Sequence, residues 1–326
     1  MTKSEISFSV AVPVYNEIES LQELYDRVKA VLDGLGEPWE LLLIDDGSTD
    51  GSSEWIEAIS KEDPRVKPVI FARNFGHQIA VTAGMDISQG RAVIIMDADL
   101  QDPPEVISDL IEKWREGYEI VYAVRTEREG ETWFKKSTAA VFYRLINRIT
   151  DVEIPLDTGD FRLMDRQAVG ALTQMRERLR FPRAMAAWIG FRQTGVPYKR
   201  AARIAGETKY PFRKMLRLAL NAITGFSYFP LQIATYLGFF AAGVSIIAIP
   251  LVIVFRLVGS PAFLGQATTL IAVLFLGGVQ LISLGILGEY IGRIYDEAKG
   301  RPLYILRKPS NFENKNSSEG RYQEPS

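Results

Sequence analysis

The sequence predicts a mostly parallel α/β domain, then a short interfacial helix and two membrane-spanning helices. Three observations carry this. Apolar, β-branched runs alternate with helical patterns early in the chain; polar clusters follow those runs at once; and two long stretches further on are almost free of charge.

Residues 6–14, 40–44, 66–71, 92–96 and 119–124 are dense in Val, Ile, Leu and Phe and read as strands. Between them, 18–32, 53–60, 78–88 and 105–115 have helical character. Such alternation implies a parallel sheet with helices on both faces. Ligands of these sheets bind at the carboxyl ends of the strands. The polar clusters at 13–17, 45–50, 73–77 and 97–101 all fall there. Further on, 133–149 and 165–175 predict helices and 192–208 a loop or short strands. The polar segment 311–326 predicts a disordered tail.

No Asp, Glu, Lys or Arg occurs over 218–255, and after Arg256 none occurs over 257–288. Within these, 231–255 and 267–287 each satisfy the roughly 20 apolar residues a spanning helix needs. A turn at 259–265, with Pro261, separates them. A buried hairpin in a soluble core is the alternative, and the uninterrupted length argues against it. Lys199, Arg200, Arg203, Lys209, Arg213, Lys214 and Arg217 precede the first span, opposed only by Glu207. Arg293, Lys299, Arg301, Arg307 and Lys308 follow the second. Positive flanks mark the cytoplasmic side, and the start of the chain carries no apolar leader. The expectation is an integral membrane protein with two spans, its N-terminal domain and both termini cytoplasmic.

Residues 213–229 mix Arg213, Lys214 and Arg217 with Met215, Leu216, Leu218 and Ile223, the composition of a helix lying in the headgroup plane. The expected domains are therefore 1–212, the soluble domain; 213–229, the interfacial helix; 230–290, the spanning hairpin; 291–310, a cytoplasmic return segment; and 311–326, the tail. Small residues at Gly238, Ala242, Gly277, Gly278 and Gly285 permit close helix packing and predict a homo-oligomer.

Composition excludes several classes. A net charge of −2 lacks the basic excess of a nucleic-acid protein. The absence of cysteine rules out a disulfide framework and thiolate metal sites. With His77 the single histidine, neither a histidine-based triad nor a zinc site is available.

Asp97-Ala98-Asp99 is the sharpest motif. Two carboxylates one residue apart at a strand end can hold Mg2+ or Mn2+, with phosphate oxygens and water completing the shell. The bland reading is a pair of acids ending a strand. Gln101 and Asp102, followed by the strand-stopping Pro103-Pro104, strengthen the functional one. Asp45 and Asp46 open DDGSTD, which reads either as a helix cap or as acceptors for a nucleobase or ribose. Pro13-Val14-Tyr15-Asn16-Glu17 follows its strand in the same manner. His77, inside ARNFGHQ, reads equally as structural or as lining a nucleotide pocket.

Taken in order, PVYNE, DDGSTD, ARNFGHQ and DADLQDPP resemble the GT-A glycosyltransferases of family 2. The later GDFRLMDR, RFPRAMAAWIGF and RIAGETKYPFRK, followed by two spans, are similar to the polyprenyl-phosphate glycosyltransferases. That group includes dolichyl-phosphate mannose synthases and the bacterial glucosyl branch that modifies O-antigen. The resemblance covers residues 6–308. It implies a GT-A catalytic domain, Rossmann-like with a mostly parallel sheet. It also implies that Pro13, Tyr15, Glu17, Asp46 and Asp97 bind the nucleotide-sugar, and that Asp97, Asp99 and Gln101 hold the metal and diphosphate. The implied reaction is an inverting transfer of a hexose to an undecaprenyl- or dolichyl-type phosphate. UDP-glucose is the first expectation for the donor, ahead of GDP-mannose and UDP-N-acetylhexosamines.

A lipid monophosphate is already anionic near neutral pH, so the acceptor needs no general base of the kind a sugar hydroxyl needs. Arg162, Arg200, Arg203 and Lys209 are candidates to grip that phosphate, although each alone also reads as a solvated or headgroup-facing charge. Asp157 and Asp160 are candidates to orient the sugar or act as base. A processive polysaccharide synthase would carry more spans and a Q-x-x-R-W-like motif, and neither is found here. A scaffold or transport subunit leaves the acidic strand edge without a purpose.

Overall fold

The computed structural model describes residues 6–126, 158–178, 180, 182–199, 229–258 and 266–307. It divides into two compact units. One comprises Met1–Lys136, Glu153–Lys209 and Pro302–Ser326; the other comprises Ser137–Val152 and Tyr210–Arg301.

The first unit is built on a seven-stranded sheet ordered β3-β2-β1-β4-β6-β5-β7. β1 (Phe8–Val14) lies parallel between β2 (Trp39–Asp45) and β4 (Ala92–Ile95), and β3 (Val66–Ile70) extends β2 at the edge. Helices α1 (Ile18–Leu35), α2 (Ser52–Glu62), α3 (His77–Ile87) and α4 (Val106–Arg115) connect or follow these strands. β1 is fully buried, and its alternate side chains enter opposite cores. Phe8, Val10, Val12 and Val14 meet Leu21, Leu24 and Val28 of α1 and Leu110 of α4, while Ala11 meets Ala80 and Ala83 of α3. Helices therefore cover both faces. α1 forms because its apolar residues recur at Leu21, Leu24, Val28 and Leu32, one stripe of a helix. It ends where Gly36 turns left-handed at φ 68°. Each of those buried leucines contributes about 1.5–3 kcal/mol.

β5 (Ile120–Arg125) completes the expected strands, with bounds within a few residues of those read from the sequence. The other half of the sheet departs from expectation. β6 (Thr158–Asp165) is an eight-residue strand where only a motif and the start of a helix were foreseen. It runs antiparallel between β4 and β5, with Ile95 opposite Arg162. Its helix, α5 (Arg166–Gln174), begins at Asp165, whose carboxylate accepts from the Gln167 N–H. α6 (Pro182–Trp188) and β7 (Gln193–Tyr198) follow, and β7 pairs parallel with β5.

The second unit contains α7 (Phe229–Leu257) and α8 (Gln266–Ala298), which pack against each other. Both are long and apolar enough to cross a bilayer, over Leu231–Phe255 and Phe275–Ala298. They present Phe239, Phe240, Ile246, Ile247, Phe275 and Leu281 outward, an apolar surface too large to leave in water. α8 runs on to Ala298, so the end placed at 290 from the sequence falls inside the helix. The helix expected at 133–149, Asp157, Arg200, Arg203, Lys209, the turn at 259–265 and the tail at 311–326 lie outside the described residues. So does the interfacial helix at 213–229, apart from Phe229, which opens α7.

Candidate active site

Strand order changes direction at β1: β2 lies on one side and β4 on the other. Such a switch point opens a crevice beyond the carboxyl ends of the strands. Three loops meet there.

The loops after β1 and β2 are stitched together. Asn16 ties to both Ser48 and Thr49: the Asn16 N–H donates to Ser48 Oγ at 3.0 Å, and the Thr49 N–H donates to Asn16 Oδ1 at 2.8 Å. The Ile18 N–H donates to Asp50 Oδ2 at 3.0 Å. Asn16 adopts φ 56°, a left-handed conformation that Asn tolerates better than most residues. This leaves Tyr15 half exposed at the strand end and Glu17 half buried beside it. Pro13 is different: it is buried within β1, paired with Ile44, so it shapes the strand rather than facing the crevice.

Asp45 and Asp46 are both buried, and their oxygens are taken by the protein. Asp45 accepts from the Ser48 N–H at 3.0 Å and from Ser53 Oγ. Asp46 accepts from the Phe75 N–H at 2.6 Å and the Gly76 N–H at 2.9 Å. Burial pushes the Asp46 carboxyl up, and the two N–H donors work against that. Asp46 thus holds the 73–77 loop at the start of α3. Gly47 makes the close approach possible, since a Cβ there would lie 2.7 Å from the Asn74 nitrogen.

The β4 edge is built otherwise. Asp97 is mostly buried, and its Oδ1 has no hydrogen-bond partner. Burial pushes its carboxyl up to about 6; His77 opposes this, while Asp160, Asp102 and Asp99 add to it. Leu100 takes φ 56°, rare for a branched aliphatic residue, and the Gln101 N–H folds back onto Asp99 Oδ1 at 3.1 Å. An unsatisfied buried carboxylate oxygen beside a second, ordered carboxylate fits a divalent cation. Among the described residues no group of three or more Asp, Glu, His or Cys side chains forms a complete cage. A cation held here would complete its shell with further oxygen ligands, water and phosphate oxygens among them.

The antiparallel register of β6 explains what faces this pair. With Ile95 opposite Arg162, continuing the ladder brings Asp160 toward Asp97. Asp160 is buried and accepts from three side chains. These are His77 Nε2 at 3.1 Å, Gln78 Nε2 at 3.3 Å and Arg183 Nε at 2.8 Å. Burial alone would raise its pKa, but His77, Arg183 and Arg162 outweigh it and hold the carboxyl far below the usual range. His77 Nε2 also lies 3.6 Å from Asp97 Oδ1. Burial lowers the imidazole pKa, yet the bond to Asp160 and the charge of Asp97 leave it raised. Arg183, on α6, was not singled out in the sequence. Its signal was a lone cation in the otherwise apolar helix PRAMAAW.

Arg162 is buried against the residues that precede it. It is 5% exposed, and its guanidinium donates to the carbonyls of Gly159 at 3.0 Å and Asp160 at 3.4 Å. Burial brings its pKa down to about 10. It braces the turn that presents Asp160. Asp102, noted in the sequence only as part of the acidic motif, is a second anchor. Buried beneath the β4 loop, it accepts from the Tyr198 hydroxyl and lies 3.8 Å from Arg125 Nη2, so it binds the ends of β5 and β7 to that loop.

A Rossmann-like sheet with acidic groups gathered at its switch point defines a GT-A-type glycosyltransferase. The model described as Glycosyl transferase family 2 matches residues 9–173, and the chain belongs to that family. An uncharacterized glycosyltransferase of Bacillus subtilis (strain 168), YkcC, is 52% identical over 95% of this chain and 96% of its own. The SfII prophage-derived bactoprenol glucosyl transferase of Shigella flexneri is 43% identical over 93% of this chain and 98% of its own. Among solved structures, a glucosyl-3-phosphoglycerate synthase from Mycobacterium tuberculosis, in complex with Mn2+, UDP and phosphoglyceric acid, is similar with a TM-score of 0.48. It is 20% identical and aligns over 67% of this chain and 76% of that one, too remote to carry substrate or metal across.

Proposed function

We propose that this enzyme transfers glucose from UDP-glucose to a polyprenyl phosphate of the undecaprenyl type, with inversion, at the cytoplasmic face of a membrane. The observation that carries the reading is Asp97 Oδ1, buried without a hydrogen-bond partner next to Asp99 at the switch point. Near-full-length similarity to a bactoprenol glucosyl transferase supports the sugar and the lipid. Asp97, Asp99 and Gln101 would hold Mg2+ or Mn2+, which neutralises charge on a leaving diphosphate.

The chain's own groups divide the remaining work. Tyr15 offers an exposed ring at the crevice to a nucleobase, with Glu17 beside it. Asp160, its oxygens shared by three donors, serves to orient His77 and Arg183 rather than to take a proton. Asp157 stays the candidate for a base, and Arg200, Arg203 and Lys209 for the acceptor phosphate. A phosphate acceptor enters as a nucleophile already charged, so positioning and charge screening can supply most of the rate.

An even number of membrane crossings is supported by connectivity. Segments on both sides of the two apolar helices, Gln193–Tyr198 before them and residues 304–307 after them, belong to the catalytic unit. The basic flanks favour the cytoplasm for that unit. Membranes carrying the enzyme, given labelled donors and undecaprenyl phosphate, should move label from UDP-glucose into the organic phase. GDP-mannose and UDP-N-acetylglucosamine should serve poorly. Label appearing only in an aqueous polymer would favour a polysaccharide synthase instead.

A further inference from the structure

The segment that follows the apolar hairpin does more than bring the chain back. β3 is the edge strand, and its outer side would otherwise present bare N–H and C=O groups. Residues 305–307 cover it at its carboxyl end. The Ala72 N–H donates to the Ile305 carbonyl at 2.9 Å, the Arg307 N–H donates to the Ile70 carbonyl at 2.8 Å, and Phe71 bridges Leu306 antiparallel. Alternate residues, Tyr304 and Leu306, turn onto the α3 face of the sheet.

Two contacts connect this strap to His77. The Tyr304 ring stacks on Phe71 at 5.2 Å and 13°, and Phe71 meets Phe75 edge-on at 5.6 Å. Phe75 and Gly76 are the residues whose N–H groups Asp46 holds, immediately before His77. At the other end of the same helix, the Tyr304 hydroxyl donates to Asp86 Oδ2 at 3.1 Å, and Arg176 pairs with Asp86 at 2.7 Å. Both the entry to α3 and its last turn therefore bear on one tyrosine. α3 carries His77 at its first position, and an axial or rolling shift of the helix would move the imidazole off Asp160 and Asp97.

We propose that Tyr304, with Leu306, is a positioning residue for the donor site. The chain emerging from the last apolar helix is a working part of the catalytic edge, acting through the 73–77 loop and α3. The proposal rests on the nucleotide-sugar reading above for its kinetic consequence, but its physical consequence is independent of any substrate.

The test uses the full-length protein in detergent or nanodiscs. In Tyr304→Ala, amide exchange at Phe75, Gly76 and His77 should quicken by about tenfold or more while β1 and β2 keep their protection. KM for the nucleotide-sugar should rise about tenfold with KM for the lipid phosphate unchanged. Tyr304→Phe, which keeps the ring stack, should recover most of this loss, and the milder Leu306→Ala should move the same amides less. Unchanged exchange at 75–77 would overturn the proposal, as would a general loss of protection across the sheet. Donor and acceptor KM rising together would also overturn it. If no donor in the panel is turned over, the function reading fails, and the exchange pattern alone decides for or against the strap.

Discussion

Two pairs of aspartates stand at the ends of the two strands that flank β1 and look alike in the sequence. Asp45 ends β2 and Asp46 follows it; Asp97 and Asp99 follow β4. The first pair is wholly buried, and its oxygens accept from Ser48, Ser53, Phe75 and Gly76. In the second pair, Asp97 Oδ1 has no hydrogen-bond partner, and the carboxyl is pushed up to about 6. A carboxylate that protein donors satisfy is scaffold; one left costly in the folded chain is kept for a ligand. Burial raises the Asp46 carboxyl too, but two backbone N–H donors work against it there, and Asp97 Oδ1 has no such donor.

The largest expected effect breaks the second pair. Asp99→Asn should lower turnover by about a thousandfold, since a charged ligand is lost where a diphosphate leaves, with the thermal midpoint nearly unchanged. Breaking the first pair should do the reverse. Asp46→Ala leaves two buried N–H groups without an acceptor and should cost about 2–4 kcal/mol of stability. A clear drop in the thermal midpoint should appear, with 73–77 becoming the first site of proteolysis.

A smaller effect sharpens the contrast through pH. The folded pKa of Asp97 lies above the unfolded value, so its ionisation opposes folding. That burden is full above about pH 6 and fades toward about pH 4, where the acid is protonated in both states. Without divalent metal, Asp97→Asn should therefore be more stable than wild type near pH 7.5, by about 2 kcal/mol. The two should converge as the pH falls toward 4. Parallel melting curves across that range would refute the assignment of strain to Asp97.

Most of the parallel half of the fold was legible, because β-branched runs and helical stripes are local signals. β6 was not. Its residues, TGDFRLMD, alternate too weakly to announce a strand, and its antiparallel insertion between β4 and β5 is decided by long-range pairing. That insertion brings Asp160 to Asp97, so the motif was visible while its geometry was not. Asp46 and Arg162 carry a structural part that their motifs do not tell. Both carry the right charge in the right motif, and only burial and hydrogen-bond partners reveal that they hold backbone. Leu303 to Leu306 form a short apolar run after Pro302, a signal present in the sequence and read only as a return.

The account turns on Asp97 and Asp99 forming a site that a nucleoside diphosphate completes. Mn2+ binding to the purified full-length enzyme, followed by electron paramagnetic resonance with and without UDP, tests this most directly. Two carboxylates alone should bind the ion weakly, and UDP should tighten it by about tenfold or more, reciprocally with Mn2+ tightening UDP. Asp99→Asn should abolish that coupling. Mn2+ binding that is indifferent to UDP, or that survives unchanged in Asp99→Asn, would contradict it.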